Sequence, residues 1–108
     1  MERSVRTSRR LRDQVDVESL RRHAQKRLKE RYGLDLDIGA IADLERRIRL
    51  GQSLRVCSQW WARSIHFIVY RDTALYLCFD DYLNCLVTAL ALDFPIVRKH
   101  RKKLGVIS

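Results

Sequence analysis

Two of the three histidines in this 108-residue chain sit in patterned segments, and histidine is the side chain best suited to give or take a proton near neutral pH. His23 falls with Arg27, Glu30 and Arg31 at i, i+4, i+7 and i+8, so the four line one ridge of a helix. The same residues have a plainer reading. His23 borders a buried stripe, and Arg27 and Arg31 lay their stems over the core or pair with Glu30. His66 shares one face of a strand with Tyr70 and is either a second proton-transfer group or a satisfied sheet histidine.

Cys57, Cys78 and Cys85 are odd in number, lack CxxC spacing and lie inside apolar runs, the pattern of reduced thiols used as small core side chains. Cys78 and Cys85 flank a predicted hairpin turn and could face one another. No metal site is expected, because His66 and the cysteines have no recognised ligand spacing, and no cofactor motif is present. The adjacent Trp60 and Trp61 cannot easily both point inward. One plugs the core while the other covers an edge strand, anchors a protein interface or stacks on an unpaired base.

Charge is unevenly distributed. Residues 1–12 carry Arg3, Arg6, Arg9, Arg10 and Arg12 against one Glu, and residues 97–108 carry Arg98, Lys99, Arg101, Lys102 and Lys103. These two ends account for the net charge of +9, and the span 13–96 holds twelve basic and twelve acidic side chains. Two basic ends on one small domain point to a polyanion, with RNA ahead of DNA, held by phosphate neutralisation that weakens as salt rises. The ends are expected to be a flexible basic arm (1–12) and a basic tail or short terminal helix (97–108). Such arms can also dock on anionic lipid. No stretch is long and apolar enough for a membrane span, and the first residues lack the apolar core of an export signal, so a cytoplasmic setting in a bacterial host cell is expected.

The elements that must position these groups follow from periodicity. A first helix is predicted from Asp16 to Gly33, with Val17, Leu20, Ala24, Leu28 and Tyr32 as its buried stripe. A second runs from Ile38 to Leu50 behind an Asp37 cap, buries Ile41, Leu44 and Ile48, and pairs Glu45 with Arg49. After Gly51 four strands follow, Leu54–Ser58, Ala62–Tyr70, Ala74–Phe79 and Cys85–Leu92, joined by turns too short for anything but antiparallel hairpins. The fold class is therefore α+β: two N-terminal helices, then a four-stranded antiparallel meander sheet, with basic N- and C-terminal tails. Alternation places Ile65, Phe67 and Val69 on one face of the second strand and Ser64, His66, Ile68 and Tyr70 on the other. Both faces are largely apolar, so the sheet should be covered on both sides.

The run RHAQKRLKERYG in the first helix, a second helix ending in RLG and the polar interruption in CLVTAL resemble small phage and mobile-element proteins of the barnase–EndoU–colicin–RelE fold. The resemblance spans about residues 16 to 92 and implies metal-independent ribonuclease or toxin activity. It carries a helix histidine to His23, nearby cations to Arg27 and Arg31, and a hydroxyl on the last strand to Thr88. Metal-independent RNA cleavage needs a base for the ribose 2′-proton, an acid for the leaving oxygen and cations for the phosphorane charge, which such a set can supply. Thr88 is also an ordinary strand residue, and it should share a face with Leu86, Leu90 and Leu92, which would bury it.

Three classes of function thus compete. One is a toxin-type endoribonuclease. A second is a non-enzymatic phage or mobile-element accessory protein that binds nucleic acid or a nucleoprotein complex through its basic arms. The third is an interaction module or inhibitor for an acidic protein surface, such as an antitoxin or host complex, anchored by Trp60 and Trp61. Composition leaves self-association open.

Overall fold

The computed structural model describes residues 2–59 and 62–105, with side chains described for residues 17–58 and 62–105. Its first element, α1, is one helix of 31 residues, Glu2–Tyr32, which buries Ala24 and Leu28 and half-buries Leu20 and Tyr32, as the stripe predicts. It does not begin at Asp16. Residues 2–16 contain no glycine or proline and are rich in helix-tolerant arginine, so nothing in them halts the helix. At the other end Gly33 turns left-handed at φ 68, and the N–H groups of Gly33 and Leu34 return to the carbonyls of Lys29 and Leu28.

The second helix, α2 (Ile38–Arg49), starts as predicted: the Asp37 carboxylate accepts from the Ala40 N–H at 2.8 Å, and Ala40, Ile41, Leu44 and Ile48 are buried. Strands β1 (Leu54–Gln59), β2 (Arg63–Tyr70), β3 (Thr73–Asp80) and β4 (Cys85–Ala89) form an antiparallel meander in the order β1-β2-β3-β4. The β2–β3 hairpin closes on Arg71 and Asp72, both at positive φ, a two-residue turn whose twist matches its strands. A third helix, α3 (Pro95–Lys103), follows the sheet, so the segment from Val97 is a helix and the class is α+β with three helices.

Sheet alternation decides which helix lies where. Ile68, Tyr70, Leu75, Leu77, Phe79, Leu86 and Ala89 pack with α1 and α2 in one core, whereas Ile65, Tyr76 and Leu90 pack with Val97 of α3 in a second. Val97 is 0% exposed, and burying one such side chain contributes about 2 kcal/mol, which fastens α3 to the face that α1 and α2 leave open.

Three expectations are corrected by packing. A register shift opposite Cys78/Phe79 breaks the alternation of β4, so Leu86 faces α1 and α2 while Thr88, opposite Cys78, lies with Leu90 on the α3 side; the strand ends at Ala89, before Leu92. The same register puts Cys85 opposite Asp80, so Cys78 and Cys85 do not face one another. All three cysteines are free, and burial pushes the Cys78 thiol up and the Cys85 thiol up to about 11, with the Glu45 carboxylate adding to the latter. Glu45, finally, does not pair with Arg49. It is 1% exposed, accepts from Arg21 Nε at 2.9 Å, and takes the Leu86 N–H at 2.9 Å.

That carboxylate joins α1, α2 and β4 at one point. Arg21→Ala would leave it buried with one donor and is expected to destabilise the protein by about 3 kcal/mol. Glu45→Gln keeps an acceptor for the Leu86 N–H without a charge and should cost less. Urea denaturation at pH 7 checks the order, and two equally small losses would mean that the pair behaves as a surface contact.

Candidate nucleic-acid interface

α3 begins on Pro95, whose fixed φ suits the first helical position, and carries Ile96 and Val97 on its inner side. His100 stands four and three residues after them and is therefore drawn toward the sheet, while Arg98, Lys99, Lys102 and Lys103 stay exposed. The His100 ring stands 5.7 Å from Phe67 and 5.5 Å from Tyr76 between centroids, and its Nδ1 is 2.8 Å from the Tyr76 hydroxyl. Tyr76 is 1% exposed, so this hydroxyl fixes the ring from inside the core.

The end of α1 reaches the same region. Tyr32 inserts its hydroxyl between β3 and β4, accepting from the Tyr76 N–H at 3.2 Å and donating to the Leu90 carbonyl at 2.6 Å. Arg31 donates to the Ala89 carbonyl at 2.7 Å. Between α1 and α3 lies a cleft of about 410 Å³ lined by Arg31, Tyr32, Phe67, Thr73, Ala74, Tyr76, Leu92 and Arg101. Burial pushes both phenols up, against the pull of the Arg101 charge, so they remain protonated donors at neutral pH. Two guanidiniums and a half-buried aromatic floor in the cleft, with a histidine held by a phenol beside it, meet the needs of a phosphate with an attached base.

The residues assigned from the sequence fall into separate groups. His23 is exposed and accepts from Arg27 Nε at 3.5 Å, and Arg27 also pairs with Glu30 at 2.7 Å. Thr88 and Arg31 meet at one acceptor, the Ala89 carbonyl, to which the Thr88 hydroxyl donates at 3.4 Å. Among the described residues no hydrogen bond joins the His23–Arg27 pair to the Arg31–Thr88 pair, and only Arg31 lines the cleft. Arg3, Arg6, Arg9, Arg10 and Arg12 lie on the first half of α1, and their side chains are outside the described residues, as are Trp60 and Trp61. Sequence reasoning missed His100 and Tyr76. The signal was the three- and four-residue spacing from Ile96 and Val97 to His100, hidden by the basic run around it.

A second polar cluster lies on the other sheet face. His66, 4% exposed, has Nδ1 2.8 Å from Ser53 Oγ and Nε2 2.9 Å from Ser64 Oγ, and Ser64 donates to Asp81 at 3.1 Å. Arg55 stands 3.5 Å from the same Asp81 carboxylate. Burial, then the Arg55 charge, hold the imidazole below its usual value, with Asp81 opposing. Among the described residues no group of three His, Cys, Asp or Glu side chains is placed to hold a metal, and no helix is long and apolar enough to cross a membrane.

In comparisons with family models, curated proteins and solved structures, nothing matches the chain significantly.

The buried ring makes a prediction about acid stability. A histidine held low in the fold takes its proton first in the unfolded chain, so its contribution is complete above the usual imidazole value of 6.5 and is lost as pH falls from there toward the lower folded value. Urea midpoints should decline over that range, and His66→Asn should flatten that part of the curve.

Proposed function

We propose that this protein binds RNA across its α3 face and cleaves it without a metal, with the proton-transfer group on α3 beside the cleft between α1 and α3, joined to it through Tyr76. The observation that carries the reading is His100: its Nδ1 is held by the buried Tyr76 hydroxyl, Arg101 is its neighbour in sequence, and Arg31 lines the cleft that Tyr76 and Arg101 also line. In such a reaction the ribose 2′-oxygen attacks phosphorus, its proton passes to the imidazole, and the 5′-oxygen leaves with a proton, giving a 2′,3′-cyclic phosphate end. Arg31 and Arg101 would meet the charge that develops on the phosphoryl oxygens. The exposed Arg98, Lys99, Lys102 and Lys103 extend the same positive surface along the strand. The resemblance to the barnase–EndoU–colicin–RelE group points to the same reaction but places the histidine at His23. His23 is exposed beside Arg27, and in this reading that ridge serves as a second phosphate-binding surface.

Incubation of the full chain with single-stranded RNA in EDTA tests this. His100→Ala should slow cleavage by roughly 100-fold, in line with the loss of one general acid–base group, while His23→Ala leaves the rate near the native value. Arg101→Ala should weaken binding and lower the salt slope by about one phosphate contact. If His23→Ala abolishes cleavage and His100→Ala does not, the centre is on the α1 ridge. Salt-sensitive binding with no cleavage by the native protein would leave the accessory-protein reading.

A further inference from the structure

We propose that Ser53 is a covalent nucleophile, activated by His66, that takes the acyl group of a small carboxylic ester. His66 and Ser64 are on the sheet face opposite the cleft, and the groove that Ser53 lines runs around the β1–β2 end to Phe67, which also lines the cleft. The proposal does not rest on the RNA reading.

The proton positions follow from the hydrogen bonds. Ser64 Oγ donates to Asp81 Oδ1 at 3.1 Å, so toward His66 Nε2, 2.9 Å away, it can only accept. The imidazole therefore carries its proton on Nε2 and leaves the Nδ1 lone pair bare. The Ser53 hydroxyl, 2.8 Å from Nδ1, is the donor there. A serine whose proton is aimed at a neutral imidazole, with the far nitrogen fixed by a hydroxyl backed by a carboxylate, is the arrangement an activated serine requires. Burial keeps the ring neutral and ready to accept.

Unlike the buried imidazole, Ser53 is half-exposed. It lines an open groove of about 400 Å³ with Gln52, Leu54, Phe67, Val69 and Arg47, in which Leu54 and Val69 are 51% and 54% exposed, while His66 lies behind Ser53 and lines a separate pocket with Arg55 and Asp81. Those two side chains suit a short apolar acyl chain, and the Gln52 side-chain amide lines the groove as a donor for a carbonyl oxygen turning anionic, with the Arg47 guanidinium, paired to Asp43 at 3.2 Å, adding positive charge nearby. In the first step Ser53 Oγ bonds to the ester carbonyl carbon as its proton passes to Nδ1, and the alcohol oxygen leaves with that proton. In the second, water attacks the acyl-serine, His66 takes and returns the proton, and a carboxylic acid is released.

The full chain incubated with p-nitrophenyl butyrate and, separately, with an alkyl fluorophosphonate gives two readouts, nitrophenol release and a mass adduct mapped by peptide. The adduct is expected on Ser53, with both signals lost in Ser53→Ala, a half-exposed position whose change leaves the fold intact by circular dichroism. His66→Asn should slow labelling by roughly 100-fold. Because His66 is buried, Ser53→Cys is the companion variant: a thiol at this position should still be acylated by the ester. Ser64→Ala is read on the pH profile of labelling, whose midpoint moves if Ser64 and Asp81 set the ring's protonation and stays if they only pack. A native protein that releases nitrophenol no faster than Ser53→Ala, or an adduct on any other residue, overturns the proposal.

Discussion

A carboxylate that is 1% exposed cannot stay charged without partners, and the partners of Glu45 decide how the layers of this protein meet. Arg21 comes from α1, the Leu86 N–H from β4, and Glu45 itself from α2. Apolar burial would let α1 slide along the sheet, since one leucine row fits many positions. A charged hydrogen bond fixed at both ends admits one. With Arg21 pinned beside Leu86, the helix arrives at Ala89 and Leu90 just as Arg31 and Tyr32 come round, and those two close the far end of β4. β4 is the last strand of the sheet and has no strand on its outer side. Its Leu86 N–H and Ala89 carbonyl end on charged side chains, which guards an edge that would otherwise be open to pairing with another chain.

Much of this architecture is legible in the residues, and what is hidden has a common cause. The Asp37 cap, Gly33, Gly51 and the two-faced pattern of β2 are local signals, each read from a few neighbours, and each is where the sequence puts it. The partner of Glu45 was not local: Arg49 one turn away is the partner that helix spacing suggests, while Arg21 lies 24 residues away in sequence. The register shift in β4 is equally silent, because Val87 and Thr88 are both good strand residues and neither announces a bulge. The start of α1 was misplaced for another reason. Asp16 looks like a cap in isolation, yet helix-tolerant residues precede it without a break.

The three histidines show how little a residue type says before packing is known. His23 is exposed on a helix ridge, His66 is sealed between two serine hydroxyls, and His100 is half-buried against aromatic rings with one nitrogen held by a phenol. The first was the obvious candidate because it sits in a recognisable pattern. The other two have the more constrained surroundings, with hydrogen bonds that select a tautomer or an orientation. Both owe this to strand alternation, which sends Tyr76 to one face of the sheet and His66 to the other.

The Tyr32 hydroxyl stands in for one of the two ladder bonds between Tyr76 and Leu90, the other being the direct bond from the Leu90 N–H to the Tyr76 carbonyl at 2.8 Å, so half of the last rung of the sheet runs through a side chain from the first helix. Tyr32 and Leu90 are 58 residues apart, more than half the chain length. During synthesis the meander can zip from its hairpins, but the bridged half of this rung waits for α1 to dock and for the segment leading into α3 to emerge. The cleft is thus among the last features to take shape, and a truncated chain that had built most of its sheet would still lack it.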